Sequence, residues 1–245
     1  MRVIPARKGF DLEDSFNTVA LLPMKANSER VKGKNFREFA GKPLFRWILD
    51  SLLEVDEIEK VVINTDARQI LAENGLEDGA EDGRVMIRDR KVEICGDMVS
   101  MNLVLADDVA NVSAETYVMT HTTNPLLRPA TIAAALEKYS EGVRDGSSDS
   151  LFSVNPVQTR FYRADGSAIN HDPDNLIRTQ DLETWYEENS NLYIFNRGSF
   201  AKTKARIGAA PILLPMDPTE AIDIDGQAQW ELAEAVALYR LGQKP

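Results

Sequence analysis

An α/β fold, with a mostly parallel sheet and helices on both faces, is what this sequence predicts, on three observations. Short apolar runs rich in Val, Ile, Leu and Tyr alternate along the chain with helix-length segments. Turn residues bound most of the apolar runs, and the β-α-β-α order suits parallel strands joined by crossover helices. A basic loop follows the first core run, at the carboxyl end of a strand, which is where open α/β sheets bind ligands.

The elements follow in order. Predicted strands are Thr18–Met24, Lys60–Thr65, Arg84–Arg88, Glu115–His121, Ser150–Asn155, Leu192–Phe195 and Ala210–Pro215. Predicted helices lie between them. Pro43–Val55 carries a proline in its first turn. Asp66–Asn74 opens on Asp66 and Gln69, spaced as a capping box, and stops at Gly75. Met98–Asn111, Pro129–Ser140 and Gln227–Leu241 complete the set. Residues 145–150 form a polar break, and residues 156–190 are polar, turn-rich and aromatic with little helical period, so they read as a lobe inserted on the sheet. The expected organisation is an N-terminal extension over residues 1–17 and a single domain over 18–245 that carries the lobe.

Composition limits the function. The chain has 245 residues and a formal net charge of −11, a poor balance for binding nucleic acid or an anionic membrane. One cysteine, Cys95, and two histidines, His121 and His171, make a poor zinc set and allow no internal disulfide. No run approaches the ~18 apolar residues of a membrane span. Residues 1–17 are charged and hold no apolar core of signal-peptide length, so the expectation is a soluble, cytoplasmic protein.

Two segments carry the chemistry. Lys25–Arg37 holds five basic residues against one acidic residue, although the chain as a whole is acidic. Lys and Arg supply charge there, and Asn27, Ser28 and backbone amides supply directional hydrogen bonds to phosphate oxygens. The loop is neither a Walker A loop nor Gly-x-Gly-x-x-Gly, because Gly33-Lys34 lacks the upstream glycine and the Ser/Thr that should follow. Near the other end, Ala221-Ile-Asp-Ile-Asp-Gly226 alternates apolar and acidic residues, so Asp223 and Asp225 share a face of an extended segment and could clamp one hard cation. Asp225 as the cap of the following helix, and Asp-x-Asp as the metal motif of a GT-A glycosyltransferase, are the competing readings.

In family order along the chain, these residues resemble the signatures of the CMP-sugar synthetases, the acylneuraminate and KDO cytidylyltransferases. Ser28, Arg30, Lys34, Asn35 and the later Gly41-Lys-Pro-Leu44 match the family's first signature, with Lys25 where an arginine is usual. Val3-Ile-Pro-Ala-Arg-Lys-Gly9 mimics only its start. Asn64-Thr-Asp66 resembles the family's Ser-Thr-Asp, and Thr122-Thr-Asn-Pro-Leu126 resembles a segment lining the sugar site, with His121 where Gln is usual. Arg88 with Glu93 and Asp97 resembles a segment near the cytosine. Arg178-Thr-Gln180 and Asn189-Ser-Asn-Leu-Tyr193 resemble the acylneuraminate branch, with Ser190 in place of Gly, and Ile222-Asp-Ile-Asp225 resembles the family's closing motif.

The resemblance implies a Rossmann-like nucleotidyltransferase fold with a small inserted dimerisation lobe, a homodimer, and CTP and a nonulosonic acid sugar as the substrate pair. It implies that Lys25, Asn27, Ser28, Arg30 and Lys34 hold the triphosphate, with Lys25, Arg30, Lys34 and Asp223 catalytic. Asn35 and Arg88 would lie near cytidine. His121, Thr122, Thr123, Asn124, Arg178, Gln180, Asn189 and Tyr193 would contact the sugar, and Asp223 and Asp225 would hold Mg2+. The expected products are a CMP-sugar and pyrophosphate. A KDO-type or other sugar nucleotidyltransferase, or a catalytically weak nucleotide-binding relative, stays open at this point.

Overall fold

The computed structural model describes residues 15–26 and 33–242. β1 (Phe16–Leu21) starts two residues before the predicted Thr18 and ends three before Met24. A small antiparallel hairpin follows, β2 (Glu38–Phe39) with β3 (Lys42–Pro43). The main sheet continues with β4 (Lys60–Thr65), β5 (Val85–Asp89), β6 (Ala114–Thr120), β7 (Ser150–Val157), β8 (Trp185–Phe195) and β9 (Pro211–Pro215). Its spatial order is β5-β4-β1-β6-β8-β7-β9, and within it β8 alone runs antiparallel to its neighbours. The predicted fold class is therefore correct.

Alternation along the strands divides the core into two layers. Ala20, Leu22, Val61, Ile63, Val118, Leu192 and Ile194 point to one face. They meet α1 (Leu44–Leu53), α2 (Arg68–Glu73) and α4 (Pro129–Asp145) through Phe45, Ile48, Leu49, Leu52, Leu71, Ile132 and Leu136. Val19, Leu21, Val62, Tyr117, Met119, Tyr193 and Phe195 point to the other face, against α3 (Met101–Asn111) and α5 (Arg197–Thr203). A third cluster sets Trp230, Ala233 and Ala237 of α6 (Gln227–Gly242) against Phe39, Leu44, Leu126 and Ile224.

Three elements differ from expectation. β8 runs eleven residues, because its polar first half pairs with the outer part of β7 where no core face exists to impose alternation. That pairing narrows the inserted lobe to residues 158–184. α5 is not expected from the apolar pattern, but its start carries a capping box of Asn196 and Ser199. Asp66 does not cap α2: Ala67 holds the cap position with no side-chain bond, and Asp66 Oδ1 instead accepts from Ala26 N at 2.7 Å, in the loop after β1.

The carboxyl ends of β1, β4 and β5 are fastened by one buried guanidinium. Arg90, just past β5, donates from Nε to Asn64 Oδ1 (3.0 Å) and from Nη2 to Asn64 O (2.7 Å) and Met24 O (3.2 Å). Its own amide donates to Thr65 O at 2.8 Å. Asn64 in turn donates from Nδ2 to Asp108 Oδ1 at 2.8 Å, so α3 sets the orientation of the amide that orients Arg90. Asp108 is fully buried and pairs with Arg88 through the same oxygen, while Oδ2 has no hydrogen-bond partner. Burial pushes its carboxyl up to about 6, against the opposing pull of Asn64 and Arg88. Its neighbour Asp107, held by Lys91 and Arg88, titrates below the usual carboxylate range even though burial works against that.

Two expectations follow. Arg90→Lys keeps the charge but loses the fork that joins Met24 O, Asn64 O and Asn64 Oδ1, and should cost about 2–3 kcal/mol in urea unfolding. Asp108 is an acid whose folded value lies above its unfolded one, so its favourable contribution is full below about pH 4 and is lost as pH rises through about 6. Asp108→Asn removes this dependence. Whatever stability the variant lacks relative to wild type at pH 4, it should regain about 2–3 kcal/mol of it by pH 7 in paired unfolding curves.

Candidate functional site

The site is built at the carboxyl edge of the parallel strands, where β1, β4, β5 and β6 all end. The chain leaves β1 through Leu22, whose amide still bonds Val62 O, and Met24, whose amide bonds Asn64 O. Lys25 follows, half-exposed, with its ammonium on Asp97 at 2.8 Å. The backbone carbonyl of Lys25 accepts from Asn35 Nδ2 at 2.8 Å, and Asn35 Oδ1 accepts from Thr122 Oγ1 at 2.7 Å. Both ends of the Asn35 amide are thus spent joining the β1 loop to the segment after β6. The residue expected near cytidine is a rivet beneath the loop.

Lys34 extends in the opposite direction. It opens a short 3-10 turn after Gly33, which adopts φ 62°, a left-handed conformation that glycine tolerates freely. The Lys34 ammonium donates to Ile224 O at 2.6 Å, across 190 residues of chain. The amide of Ile224 donates to Thr123 O at 2.9 Å, and its side chain is buried with Trp230. Ile224 is therefore anchored through side chain, N–H and C=O together. Asp223 and Asp225 flank it with no freedom to move apart, and the amide of Asp225 bonds Asp223 O at 3.1 Å. The structure so brings together Lys34, Thr123 and the two aspartates.

His121 ends β6 beside this group, half-buried. Arg206, from the loop after α5, lies flat over the Tyr193 ring at 3.8 Å and approaches His121 Nε2 through Nη1 at 3.4 Å. Arg206 Nη2 donates to the Tyr193 hydroxyl (2.9 Å) and to Glu188 Oε1 (3.3 Å), and Tyr193 donates to Glu188. Desolvation, reinforced by the charges of Arg206 and Lys34, pushes His121 down to about 3, so the ring is neutral near pH 7. Burial raises the Tyr193 hydroxyl above its ordinary value, so it stays protonated.

The other expected residues divide. Asn27, Ser28 and Arg30 lie outside the described residues. Arg88 is turned away from the edge onto α3, with Asp107 and Asp108 as partners; Arg90 is the arginine at the strand ends. Asn124 is fully buried behind the loop, its amide closing a turn on His121 O. Asn189 is nearly buried and spends its side chain on Ser153 and Asn155. Ser190, where the family has glycine, adopts φ 53°. Tyr193 is fully buried beneath Arg206, a support for the site and not part of its surface. Arg178 forks onto Asp181 on the exposed face of the lobe, with Gln180 in the same turn, and these bonds stay within the lobe, away from the edge. Arg206 belongs to no motif and is silent in the sequence.

What these neighbours can do together is bind anions: cations from the basic segment and from the loop after α5 lie at a strand edge with two aspartates. Comparison with known proteins agrees. The family model for cytidylyltransferases matches residues 19–241. A CMP-N,N'-diacetyllegionaminic acid synthase of Legionella pneumophila is 28% identical over 88% of this chain and 94% of its own. An N-acylneuraminate cytidylyltransferase of Oncorhynchus mykiss is 27% identical over 91% of this chain, which spans 51% of that longer protein. A pseudaminic acid cytidylyltransferase of Campylobacter jejuni is 24% identical over 71% of this chain and 76% of its own. Among solved structures, a CMP:2-keto-3-deoxy-manno-octonic acid synthetase complexed with CTP shares the fold at TM-score 0.63, with 15% identity over 91% of this chain and 99% of that one. With that match running from β1 into α6, the chain belongs to the cytidylyltransferase family.

Proposed function

We propose that this chain transfers a cytidylyl group from CTP to a nonulosonic acid, a sialic-acid-like sugar, releasing pyrophosphate, as a cytoplasmic enzyme. The observation that carries the reading is the bond from Lys34 to Ile224 O, which ties a basic-loop ammonium to the backbone of the residue that separates the two aspartates in sequence. The named relatives activate three different nonulosonic acids, which supports the sugar class. In the reaction the anomeric hydroxyl oxygen bonds to the α-phosphorus. The bond from that phosphorus to the β-bridging oxygen breaks, pyrophosphate leaves and the hydroxyl proton is lost. Chemistry of this kind rests on positioning and charge neutralisation.

Each residue then has a task. Lys34, Lys25 and, from the basic loop, Asn27, Ser28 and Arg30 hold the triphosphate and offset the charge that builds on departing pyrophosphate. Lys25 exchanges Asp97 for a phosphate oxygen as the nucleotide enters. Asp223 and Asp225 would hold Mg2+. Among the described residues no three His, Cys, Asp or Glu side chains form a metal cage. A pair of carboxylates suits magnesium, which fills its shell with phosphate oxygens and water. When bound, that ion supplies charge neutralisation to the phosphates. His121 and Thr123 face the sugar.

The lobe completes the reading as a homodimer arm. Leu176 is 61% exposed and Ile177 46%, and Tyr162 and Ile169 of the same lobe are exposed too, apolar surface that a second copy would cover. Arg178 and Gln180 on that arm would then serve the neighbouring subunit's sugar.

Pyrophosphate release with CTP and magnesium, across N-acetylneuraminate, legionaminate, pseudaminate and KDO, tests the reaction. Turnover is expected with a nonulosonic acid. Asp223→Ala should lower it by orders of magnitude, and Lys34→Met should lower kcat/KM for CTP roughly 100-fold. Unchanged turnover in Asp223→Ala removes the metal assignment. Sedimentation of the wild type should give a dimer, and Leu176→Asp with Ile177→Asp should shift it to monomer; a monomeric wild type refutes the arm.

A further inference from the structure

We propose that Arg206 is a positioning residue that fixes His121 as a neutral imidazole with its proton on Nδ1, and that this Nδ1–H donates to an oxygen of the sugar substrate. The second half rests on the cytidylyltransferase reading; the first does not.

The argument starts from Arg206. A guanidinium has five N–H donors and no acceptor, and it does not deprotonate in proteins. Its Nη1 lies 3.4 Å from His121 Nε2, so Nε2 must accept. A neutral ring whose Nε2 accepts carries its hydrogen on Nδ1. A protonated ring would set two donors against each other. Arg206 cannot swing away to relieve such a clash. Its plane lies on Tyr193, and Nη2 is held by the Tyr193 hydroxyl and Glu188. Tyr193 is itself immobile in the core. Its one hydroxyl hydrogen goes to Glu188, so the oxygen lone pairs face Arg206.

The surroundings of His121 favour the same state. Lys34 approaches from the 3-10 turn and Arg206 from the loop after α5, both positive. Glu188 on β8 neutralises Arg206 on the side away from the ring. Tyr193 on β8 stays protonated. The ring therefore offers one fixed N–H donor between two cations.

The chain has only two histidines, so the test is direct. Long-range 1H–15N spectra of histidine-labelled protein distinguish the two neutral tautomers from the imidazolium, and His171→Gln assigns the signals. Wild-type His121 is expected to hold the Nδ1–H tautomer from pH 8 to pH 5.5. Arg206→Met should mix the tautomers and let the ring protonate, and Arg206→Lys should restore part of the wild-type pattern. A wild-type ring protonated on Nε2, or one becoming imidazolium across this range, overturns the role of Arg206.

The sugar contact is read separately. Adding the sugars of the panel to CTP-loaded protein should move the Nδ1 signal for the one that binds. His121→Leu should raise KM for that sugar roughly 10–100-fold with KM for CTP unchanged, and His121→Gln should restore it to within about threefold. An Nδ1 signal unmoved by every sugar overturns the contact. Absence of turnover with a normal tautomer pattern counts against the cytidylyltransferase reading and leaves the Arg206–His121 lock standing.

Discussion

The molecule depends on a problem that every parallel sheet has at its carboxyl edge. Strands that run the same way present their last carbonyls together, without partner strands, at the place where ligands enter. Here Arg90, just past β5, answers for β1 and β4 at once, with three bonds from one guanidinium to Met24 and Asn64 and a fourth from its own amide to Thr65. Burial disfavours the charge and lowers the tendency of Arg90 to hold its proton, yet a guanidinium remains a cation, and its planar fork matches several oxygens at once. Lysine has no such geometry. The loop that carries Lys25 and the 3-10 turn that carries Lys34 hang from this fastening through Met24 and Asn35.

A chain of net charge −11 needs that local order, because nothing in its overall field attracts an anion. Its positive groups have to be gathered by folding. Lys25 and Lys34 come from the basic segment after β1 and Arg206 from the loop after α5, and each is held by an oxygen of the protein itself: Asp97, Ile224 O and the Tyr193–Glu188 pair. Held in this way, the cations cost little further ordering when a substrate replaces or joins those oxygens. The anchoring of Ile224 does the same for acidic groups. Packing against Trp230 fixes its side chain while Thr123 and Lys34 fix its backbone, so hydrophobic burial helps to place the backbone of the flanking aspartates.

The sheet was legible because burial on both faces leaves short, dense apolar runs, and six of the seven strands lie close to where those runs stand. The polar half of β8 was not, since it pairs with β7 outside the core and no pattern marks it. Within the site, segments were legible and orientations were not. Asn35, Asn124, Asn189 and Tyr193 sit in the expected segments but face inward, because a motif specifies spacing along the chain and not which side of a turn a side chain takes. Arg88 and Arg90 illustrate the cost. They differ by two positions, yet one ends inside β5, facing α3, while the other lies past the strand end, where the chain is free to bend back over the edge. Arg206 could not have been found by pattern, since its partners are 13, 18 and 85 residues away and only the fold unites them.

The position of His121 also shows what the fold requires of a residue there. It stands between Lys34 and Arg206, and a third positive charge in that row would repel both while adding nothing that either lacks. A negative side chain would bind the two cations and withdraw them from the substrates. The residue must therefore be neutral, and to recognise a sugar it must still offer a polar hydrogen. Glutamine meets that demand by its covalent structure. Histidine meets it only if a neighbour decides where its proton sits, and Arg206 is the neighbour in contact. His121 and Arg206 therefore act as a pair, in which the arginine sets where the imidazole carries its proton.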